Sequence, residues 1–573
     1  MTDPLNNLRL AYHALERKVI RALHTQVGDG ARLRLQQHEV LSFVEVAAVS
    51  TQHRNLFNAE EYGRLQTNVN SMVAQLDAAC YRSTDDPDGP SLVVAKRVRT
   101  GKRGRPRLHI DPAFLREALS LRGPTGIAPV LACCSRTVRR RAIEHGLVVP
   151  ARPVFQATVL PDGNITRSYN VPAAQPPPAI SDEALDAMVL DVLTVFPAFG
   201  RSMLAGHLAA RGQSVHRDRL RASYIRVHGA PVAWGNRVID RRGYNVAGAN
   251  SLWHHDGQHG LSPILSSTAA ATDLIAAGLI KYKMVQHCFI DGKGRFVVGI
   301  KVNNNNRAST VLKLFKKSMR RHGVPSRVRG DHGTENLKVA AWMEEHRGAG
   351  RGSYIWGRSV HNTRIERLWF DVTHGYGQKW KNFFYDLETH HSLNPQVPQH
   401  IWLLHHLFLD AVDQDAQDWA RAWNSHKLQI KGERTRSPRD IFIFSLIQDG
   451  PRGLQHQSAP PTDQTPIDPE SYGVDWDVAN DERYMAHLFE QNPQEWAHDN
   501  PFSTAPVHQA HVPCEAPNCP FDAEEVRWLD ETLAETVSVS ARAMHLRRLV
   551  WIKALQLCDE LWNLVDTDSV YEE

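Results

Sequence analysis

Three carboxylates lie where predicted secondary-structure elements begin or end, so their side chains could meet at one site. Asp256 ends a short predicted strand, Asp331 follows another, and Glu366 lies in the first turn of a predicted helix. Carboxylate oxygens suit a hard cation such as Mg²⁺, which binds few side chains and keeps waters for its substrate. The three residues are therefore candidates for metal-assisted chemistry.

The elements that must position these carboxylates alternate between strand and helix. An Asp291–Gly294 hairpin signal joins two β-rich runs, and an amphipathic basic helix follows them. The predicted elements are strand Leu252–Asp256, strands Lys283–Ile290 and Arg295–Val302, helix Arg307–His322, strand Ser326–Arg329, helix Leu337–His346, strand Ser353–Trp356 and helix Thr363–Val372. This order predicts an α/β fold with a mixed sheet flanked by helices.

Two other acids compete for a role at such a site. Asp291 lies in a tight hairpin, where Asp is favoured because its side chain bonds nearby backbone, so a structural role is preferred. Glu335 follows Asp331 by four residues and could approach a metal. Glu366 has the better spacing and the helical setting, so it is preferred as the third carboxylate.

The segment Trp253–Gly450 resembles the catalytic core of retroviral-type integrases and DDE transposases, which has a ribonuclease-H-like fold. Three motifs carry the resemblance: Trp253–Asp256, Gly330–Gly333 and His361–Arg367. Between Asp331 and Glu366 lie 34 residues, close to the spacing in that family. The segments Ala422–His426 and Gly432–Pro438 resemble the part that closes such cores. The sequence is also similar to integrase-core proteins of basidiomycete fungi.

The resemblance implies a catalytic and metal-binding triad of Asp256, Asp331 and Glu366 that holds Mg²⁺ or Mn²⁺ as two ions. Two ions about 3.5–4 Å apart can serve both the attacking and the leaving oxygen of a phosphoryl transfer. Arg364 and Arg367 flank Glu366 and either contact DNA phosphates or form surface ion pairs.

One segment departs from the family pattern. Ser262–Leu279 is rich in Ala, Ser and Thr and stands between two strands whose connection is short in this fold. It is either a tolerated loop or translated intron sequence. We expect it to protrude and to leave the flanking strands paired.

A basic region precedes the core. Seven of the twelve residues in Lys96–Arg107 are basic, and Gly104–Arg107 has the pattern of an arm that enters a narrow minor groove. The next residues predict a helix-turn-helix motif with Ser135 as the N-cap of its third helix, Val138 and Ile143 packed inward, and three arginines exposed. The predicted DNA-binding residues here are Arg103, Arg105, Arg107, Arg136, Arg139 and Arg140.

Composition sets the domain plan for the 573 residues. From Pro451 onward the chain has 7 basic and 23 acidic residues, and the part before it has 60 and 39, so a basic body precedes an acidic region. The basic body predicts a polyanionic partner. The predicted regions are an N-terminal helical region (1–82), the basic arm and helix-turn-helix (96–150), a second helical domain (181–235) similar to upstream transposase elements, the core (248–450), and a mostly helical or irregular acidic region (451–573).

These features favour a metal-dependent DNA strand-transfer protein, an integrase or transposase. The alternatives are a domesticated DNA-binding regulator that has lost catalysis and a ribonuclease-H-like nuclease. We expect DNA as partner, a homo-oligomer, and a nuclear location in a eukaryote or an intracellular one otherwise. The seven Cys without regular spacing indicate a reducing compartment. No apolar run approaches the ~20 residues of a membrane span, so no membrane association is expected.

Overall fold

The computed structural model forms two units, Met1–Pro90 with Val238–Glu573, and Ser91–Arg237. The structure describes residues 4–25, 30–54, 57, 59–81, 87–99, 106–150, 155–161, 163–169, 180–229, 246–258, 278–331, 333–348, 353–356, 362–429, 434–454 and 513–569. Within these residues, no helix has the length and apolar character needed to span a membrane.

The first unit begins with three helices, which lie in the predicted N-terminal helical region. They are α1 (Pro4–Thr25), α2 (Gly30–Arg54) and α3 (Ala59–Tyr81). Their apolar side chains share a core of their own that includes Leu15, Val40 and Leu76.

The second unit contains three helices where the sequence predicts a helix-turn-helix motif, and two hairpins that were not predicted. The elements are β1 (Ala95–Val98), β2 (Arg107–Ile110), α4 (Pro112–Leu121), α5 (Pro124–Ile127), α6 (Ser135–Glu144), β3 (Phe155–Val159) and β4 (Ile165–Tyr169). The strands pair antiparallel as β1–β2 and β3–β4. Asp111 caps α4 by accepting a hydrogen bond from the Phe114 N–H at 2.7 Å.

Two details of the predicted third helix are wrong. Its N-cap is Cys134, and Ser135 is its first helical residue. Ile143 is 43% exposed, while Arg141 is buried in its place. Arg141 lies inside because its guanidinium donates to the Leu108 carbonyl at 2.6 Å, which satisfies a charge that burial would otherwise penalise.

The same unit ends in the second helical domain. Its helices, which lie in the predicted second helical region, are α7 (Asp182–Val195), α8 (Arg201–Ala210) and α9 (Arg217–His228). Ion pairs from Arg219 to Asp182 and from Arg226 to Asp186 link α9 to α7.

The core of the first unit is a five-stranded mixed sheet in the order β7-β6-β5-β8-β9. Its strands are β5 (Leu252–Gln258), β6 (Val285–Asp291), β7 (Val297–Asn303), β8 (Arg327–Gly330) and β9 (Tyr354–Trp356). The first three strands pair antiparallel, and β8 runs parallel to β5 and to β9. This is the α/β arrangement that the sequence predicts.

Helices cover the sheet and extend beyond it. They are α10 (Ala308–His322), α11 (Leu337–Arg347), α12 (Thr363–Val372), α13 (Gln378–His390), α14 (Pro398–Ser425) and α15 (Pro438–Gln448). A π-helical turn, Thr373–Gly377, joins α12 to α13. In α12 the buried Ile365, Leu368, Trp369 and Val372 recur at helical spacing, so one face packs on the sheet.

The predicted pairing around the inserted segment is confirmed. β5 and β6 pair from Trp253 opposite Asp291 to Gln258 opposite Gln286. Residues 262–277 lie outside the described part of the chain. The last predicted residue of the segment, Leu279, begins a 3₁₀ turn, Leu279–Tyr282, which precedes β6.

Two helices of the C-terminal region pack on the core unit: α16 (Ala523–Thr536) and α17 (Met544–Ser569). The Trp551 indole donates to the His391 carbonyl at 2.8 Å. Asp530 pairs with His406 of α14 at 2.7 Å. The acidic C-terminal region therefore contributes to this unit.

Candidate active site

Asp256 lies near the end of β5, with only 8% of its surface exposed. Its Oδ2 accepts a hydrogen bond at 2.8 Å from the indole N–H of Trp369, a residue of α12. Its Oδ1 accepts one from the Gly257 N–H at 2.7 Å. Both carboxylate oxygens are thus held by N–H donors.

Asp331 directly follows β8, the parallel neighbour of β5, so the ends of the two strands bring both aspartates to one edge. The Asn336 amide donates to Asp331 Oδ1 at 2.6 Å and to its carbonyl oxygen at 3.2 Å. Glu335, in the short 3₁₀ turn before α11, is 2% exposed. The chain after β8 therefore brings two acids to this edge.

Glu366 lies in the first turn of α12, as predicted, and is partly buried. Trp369 follows it by three residues, so the two side chains lie on neighbouring parts of the helix surface. One helix thus carries the third predicted carboxylate and the residue that holds the first.

The electrostatics show that these acids are close to one another. The pKa of Asp256 is well above its usual value because the carboxyl is buried and because Glu366, Asp331 and Glu335 place negative charge near it. The Trp369 hydrogen bond opposes this rise by favouring the ionised form. Such a concentration of negative charge is what a divalent cation would relieve.

The donor set fits a hard metal ion by its chemistry, since it consists of carboxylate oxygens. In the described parts of the chain, however, no three His, Cys, Asp or Glu side chains are gathered closely enough to hold a metal ion. Asp256 and Asp331 point instead to Trp369 and Asn336. Binding would therefore require side-chain rotation or sharing of these oxygens, each of which has two lone pairs.

A second layer of polar side chains supports the sheet edge. The rings of His255 and Tyr354 are joined by a 2.6 Å hydrogen bond between Nε2 and the hydroxyl. Burial and the nearby acids raise the pKa of Tyr354, and burial lowers that of His255 to about 3, so both groups are neutral. Gly330 is required here because a Cβ would collide with both of these side chains.

The other face of β5 is tied to the start of α12. Asn362 accepts from His254 Nδ1 at 2.8 Å and donates to the His255 carbonyl at 2.8 Å. Burial and the charges of Arg329 and Arg364 lower the pKa of His254 well below its usual value. Arg364 is thus half-buried beside His254, while Arg367 is exposed on α12.

Asp291 lies apart from this group. Asp291 of β6 is paired with Trp253 of β5, which lies three residues before Asp256. The two aspartates are therefore offset by about 10 Å along the strand direction. The Asp291 oxygens accept from the backbone N–H groups of Asn250 at 2.8 Å and Gly294 at 2.6 Å. The structural role preferred from the sequence agrees with these contacts.

The predicted DNA-binding residues upstream have different settings. Arg136, Arg139 and Arg140 are exposed on α6. Arg107 lies in β2 and pairs with Glu144 of α6 at 2.8 Å, so the C-terminal end of the predicted arm is anchored. Arg103 and Arg105 lie outside the described residues.

The sequence reasoning missed Trp369, Asn362, Tyr354 and His255 as supporting residues. Two signals were available: the paired histidines before Asp256, and an indole one helical turn after Glu366. Their hydrogen-bond partners depend on how the helix lies on the strand, which no local pattern specifies.

The sheet order and the acidic edge define a ribonuclease-H-like domain. Residues 275–453 match a family model described as an integrase core domain. This part of the chain is therefore similar to integrase cores of the retroviral type, a family whose members are generally polynucleotidyl transferases that bind DNA and use divalent metals. Asp331 and Glu366 lie inside the matched range, whereas Asp256 precedes it. No curated protein matches the chain, so its similarity to basidiomycete proteins stays a prediction.

Proposed function

We propose that the protein cleaves and joins DNA 3′ ends through Asp256, Asp331 and Glu366. The observation that carries the proposal is the buried Asp256 carboxyl, whose pKa is raised by burial and by the nearby charges of Glu366 and Asp331. Two Mg²⁺ or Mn²⁺ ions, when bound, would supply charge neutralisation for phosphoryl transfer. Asp256 and Asp331 would hold ligand oxygens on the rigid sheet, and Glu366 would approach them from α12.

The surrounding regions support a DNA substrate. The exposed arginines of α6 and the basic arm could bind phosphates, and Arg364 and Arg367 are near the site on α12. A homo-oligomer and a nuclear location in a eukaryote belong to the same proposal.

The test is Glu366→Gln, which keeps the shape of the side chain and removes its charge. With Mg²⁺ or Mn²⁺ we expect nicking and joining of labelled DNA ends to fall about 1000-fold, because a lost ligand charge costs several kcal/mol. DNA affinity should be unchanged. Glu344→Gln, an exposed glutamate of α11, is the matched control and should retain activity.

One observation favours the alternative that the protein is a domesticated DNA-binding regulator that has lost catalysis. The 259–277 segment separates the Asp256 strand from the rest of the core, and the family match begins only after that strand. If the wild-type protein binds DNA and neither nicks nor joins it, this alternative replaces the proposed function. Cleavage confined to RNA–DNA hybrids would instead support the nuclease.

A further inference from the structure

Three hydrogen bonds link one face of β5 to the N-cap of α12, to its second turn and to the π-helical turn that follows. His254, Asp256 and Gln258 alternate along the strand, so their side chains point to the same face. Asn362 bonds His254 at 2.8 Å, Trp369 bonds Asp256 at 2.8 Å, and Thr373 accepts from Gln258 at 3.0 Å. We call this set the β5–α12 ladder.

The ladder fixes how α12 lies along β5. The four strand steps from His254 to Gln258 span about 13 Å, and the eleven helical steps from Asn362 to Thr373 span about 16 Å, so the two rows have similar lengths. Asn362 is the N-cap of α12, yet its side chain caps no backbone N–H and bonds β5 instead. The helix therefore lacks a side-chain cap at this residue, and β5 gains a contact instead.

Gln258 is held in turn on its other side. It accepts from Gln286 of β6 at 2.9 Å, and Gln286 accepts from the Tyr376 hydroxyl in the π-helical turn. The end of β5 is thus bonded both to β6 and to the π-helical turn. Asp256 therefore lies between two residues, His254 and Gln258, whose side chains are both held by hydrogen bonds.

The middle hydrogen bond of the ladder is made to a proposed metal ligand, Asp256. Trp369 is 6% exposed, and its only polar atom donates to Asp256 Oδ2. That oxygen keeps a second lone pair, so the hydrogen bond can persist while the carboxylate binds a cation. The bond also restricts rotation of a carboxylate that neighbouring negative charges would push away.

We propose that Trp369 is a positioning residue that orients Asp256 for divalent-metal binding, and that the ladder sets the distance from Asp256 to Glu366. This inference rests on the proposed metal-dependent function. Hydrogen-bonded partners of ligating carboxylates typically contribute about 10–100-fold to metal affinity or activity.

The experiment measures Mn²⁺ binding to the full-length protein by electron paramagnetic resonance, with Mg²⁺ titrations of DNA-end cleavage beside it. Trp369→Phe keeps an aromatic ring and removes the N–H. Trp380→Phe is the matched control, because the Trp380 indole is also buried and donates at 2.9 Å to a carboxylate, that of Asp415 in α14. Asp256→Asn reports whether binding occurs at this site.

We expect Trp369→Phe to weaken Mn²⁺ binding about 10–100-fold and to raise the half-saturating Mg²⁺ concentration likewise, with cleavage restored at saturating metal. Trp380→Phe should change neither quantity. A merely structural Trp369 would lower cleavage at every metal concentration and leave Mn²⁺ affinity unchanged, which would overturn the proposal. Unchanged wild-type behaviour in Trp369→Phe would overturn it too.

The two proposals fail in different ways. If wild-type protein binds no Mn²⁺, or if Asp256→Asn binds it equally well, the metal site itself is wrong and the role of Trp369 is rejected with it. If wild-type binding depends on Asp256 and not on Trp369, only the positioning role is rejected.

Discussion

Two buried aspartates on the neighbouring strands β5 and β6 show how surroundings assign different roles to the same side chain. Asp291 is fully buried and bonded to two backbone N–H groups, so it joins the start of β5 to the β6–β7 turn. Asp256 is bonded to a side chain of another element and repelled by neighbouring acids. The first arrangement is complete within the protein, whereas the second retains negative charge that a cation can neutralise.

The Asp291 carboxyl predicts a pH-dependent contribution to stability. Burial raises its pKa to about 7 despite the two N–H donors. A raised carboxyl pKa means that the folded state binds more protons than the unfolded state. The contribution of Asp291 to stability is therefore full below a pH of about 3.8 and is lost as the pH rises through about 7. Between pH 5 and pH 8 the loss is about 2–3 kcal/mol.

Asp291→Asn tests this contribution, since Asn does not ionise. At pH 5 the variant should be less stable than wild type by about 1–3 kcal/mol, because the amide nitrogen cannot accept the Gly294 N–H. At pH 8 the difference should shrink or reverse. The free energies of unfolding from urea denaturation at both pH values give the answer, and a difference independent of pH would contradict the assigned pKa.

At the scale of elements, α6 presents a basic face that resembles a recognition helix. Arg136, Arg139 and Arg140 are exposed, and Val138 and Ala142 pack inward. Basic residues early in such a helix are placed to contact DNA. Replacing all three arginines by Gln should reduce DNA affinity and lower the slope of log K against log salt by about 0.9 for each lost phosphate contact.

Arg116→Gln on α4 provides the control for this prediction, because it removes one exposed positive charge from the same unit. Its slope should equal that of wild type. A triple variant with an unchanged slope would mean that α6 does not contact the DNA backbone.

The elements were more predictable than their contacts. The predicted helix Thr363–Val372 matches α12, and most core strands lie within two residues of their predicted bounds, because buried apolar runs and helical periodicity are local signals. The buried face of α6 was harder to predict. Ile143 is exposed and Arg141 is buried, because the Leu108 carbonyl of β2 accepts a hydrogen bond from the Arg141 guanidinium. The partners of Asp256 and Asp331 likewise depend on tertiary register, so the sequence indicated the acids and not their donors.

At the scale of the whole molecule, the acidic C-terminal region contributes basic residues where it meets the core. Arg542 bonds Asp415 and Asp418 of α14, and Arg547 lies over the Trp380 ring at 4.3 Å. Asp415 is fully buried and also pairs with Lys379 at 2.6 Å. These contacts join a segment more than 100 residues downstream to the helices behind the sheet.

Arg542 therefore predicts how strongly the C-terminal region stabilises the core. Arg542→Met keeps most of the side-chain volume and removes a cation from beside a buried carboxylate. We expect a loss of about 2 kcal/mol in the free energy of unfolding, less than the ~3–5 kcal/mol of a fully buried pair, because Lys379 and Arg421 still neutralise the two aspartates. Arg527→Met is the control, since its pair with Glu524 is exposed and should contribute less than about 1 kcal/mol. Equal urea stabilities for the two variants would show that the C-terminal helices rest on the core without stabilising it.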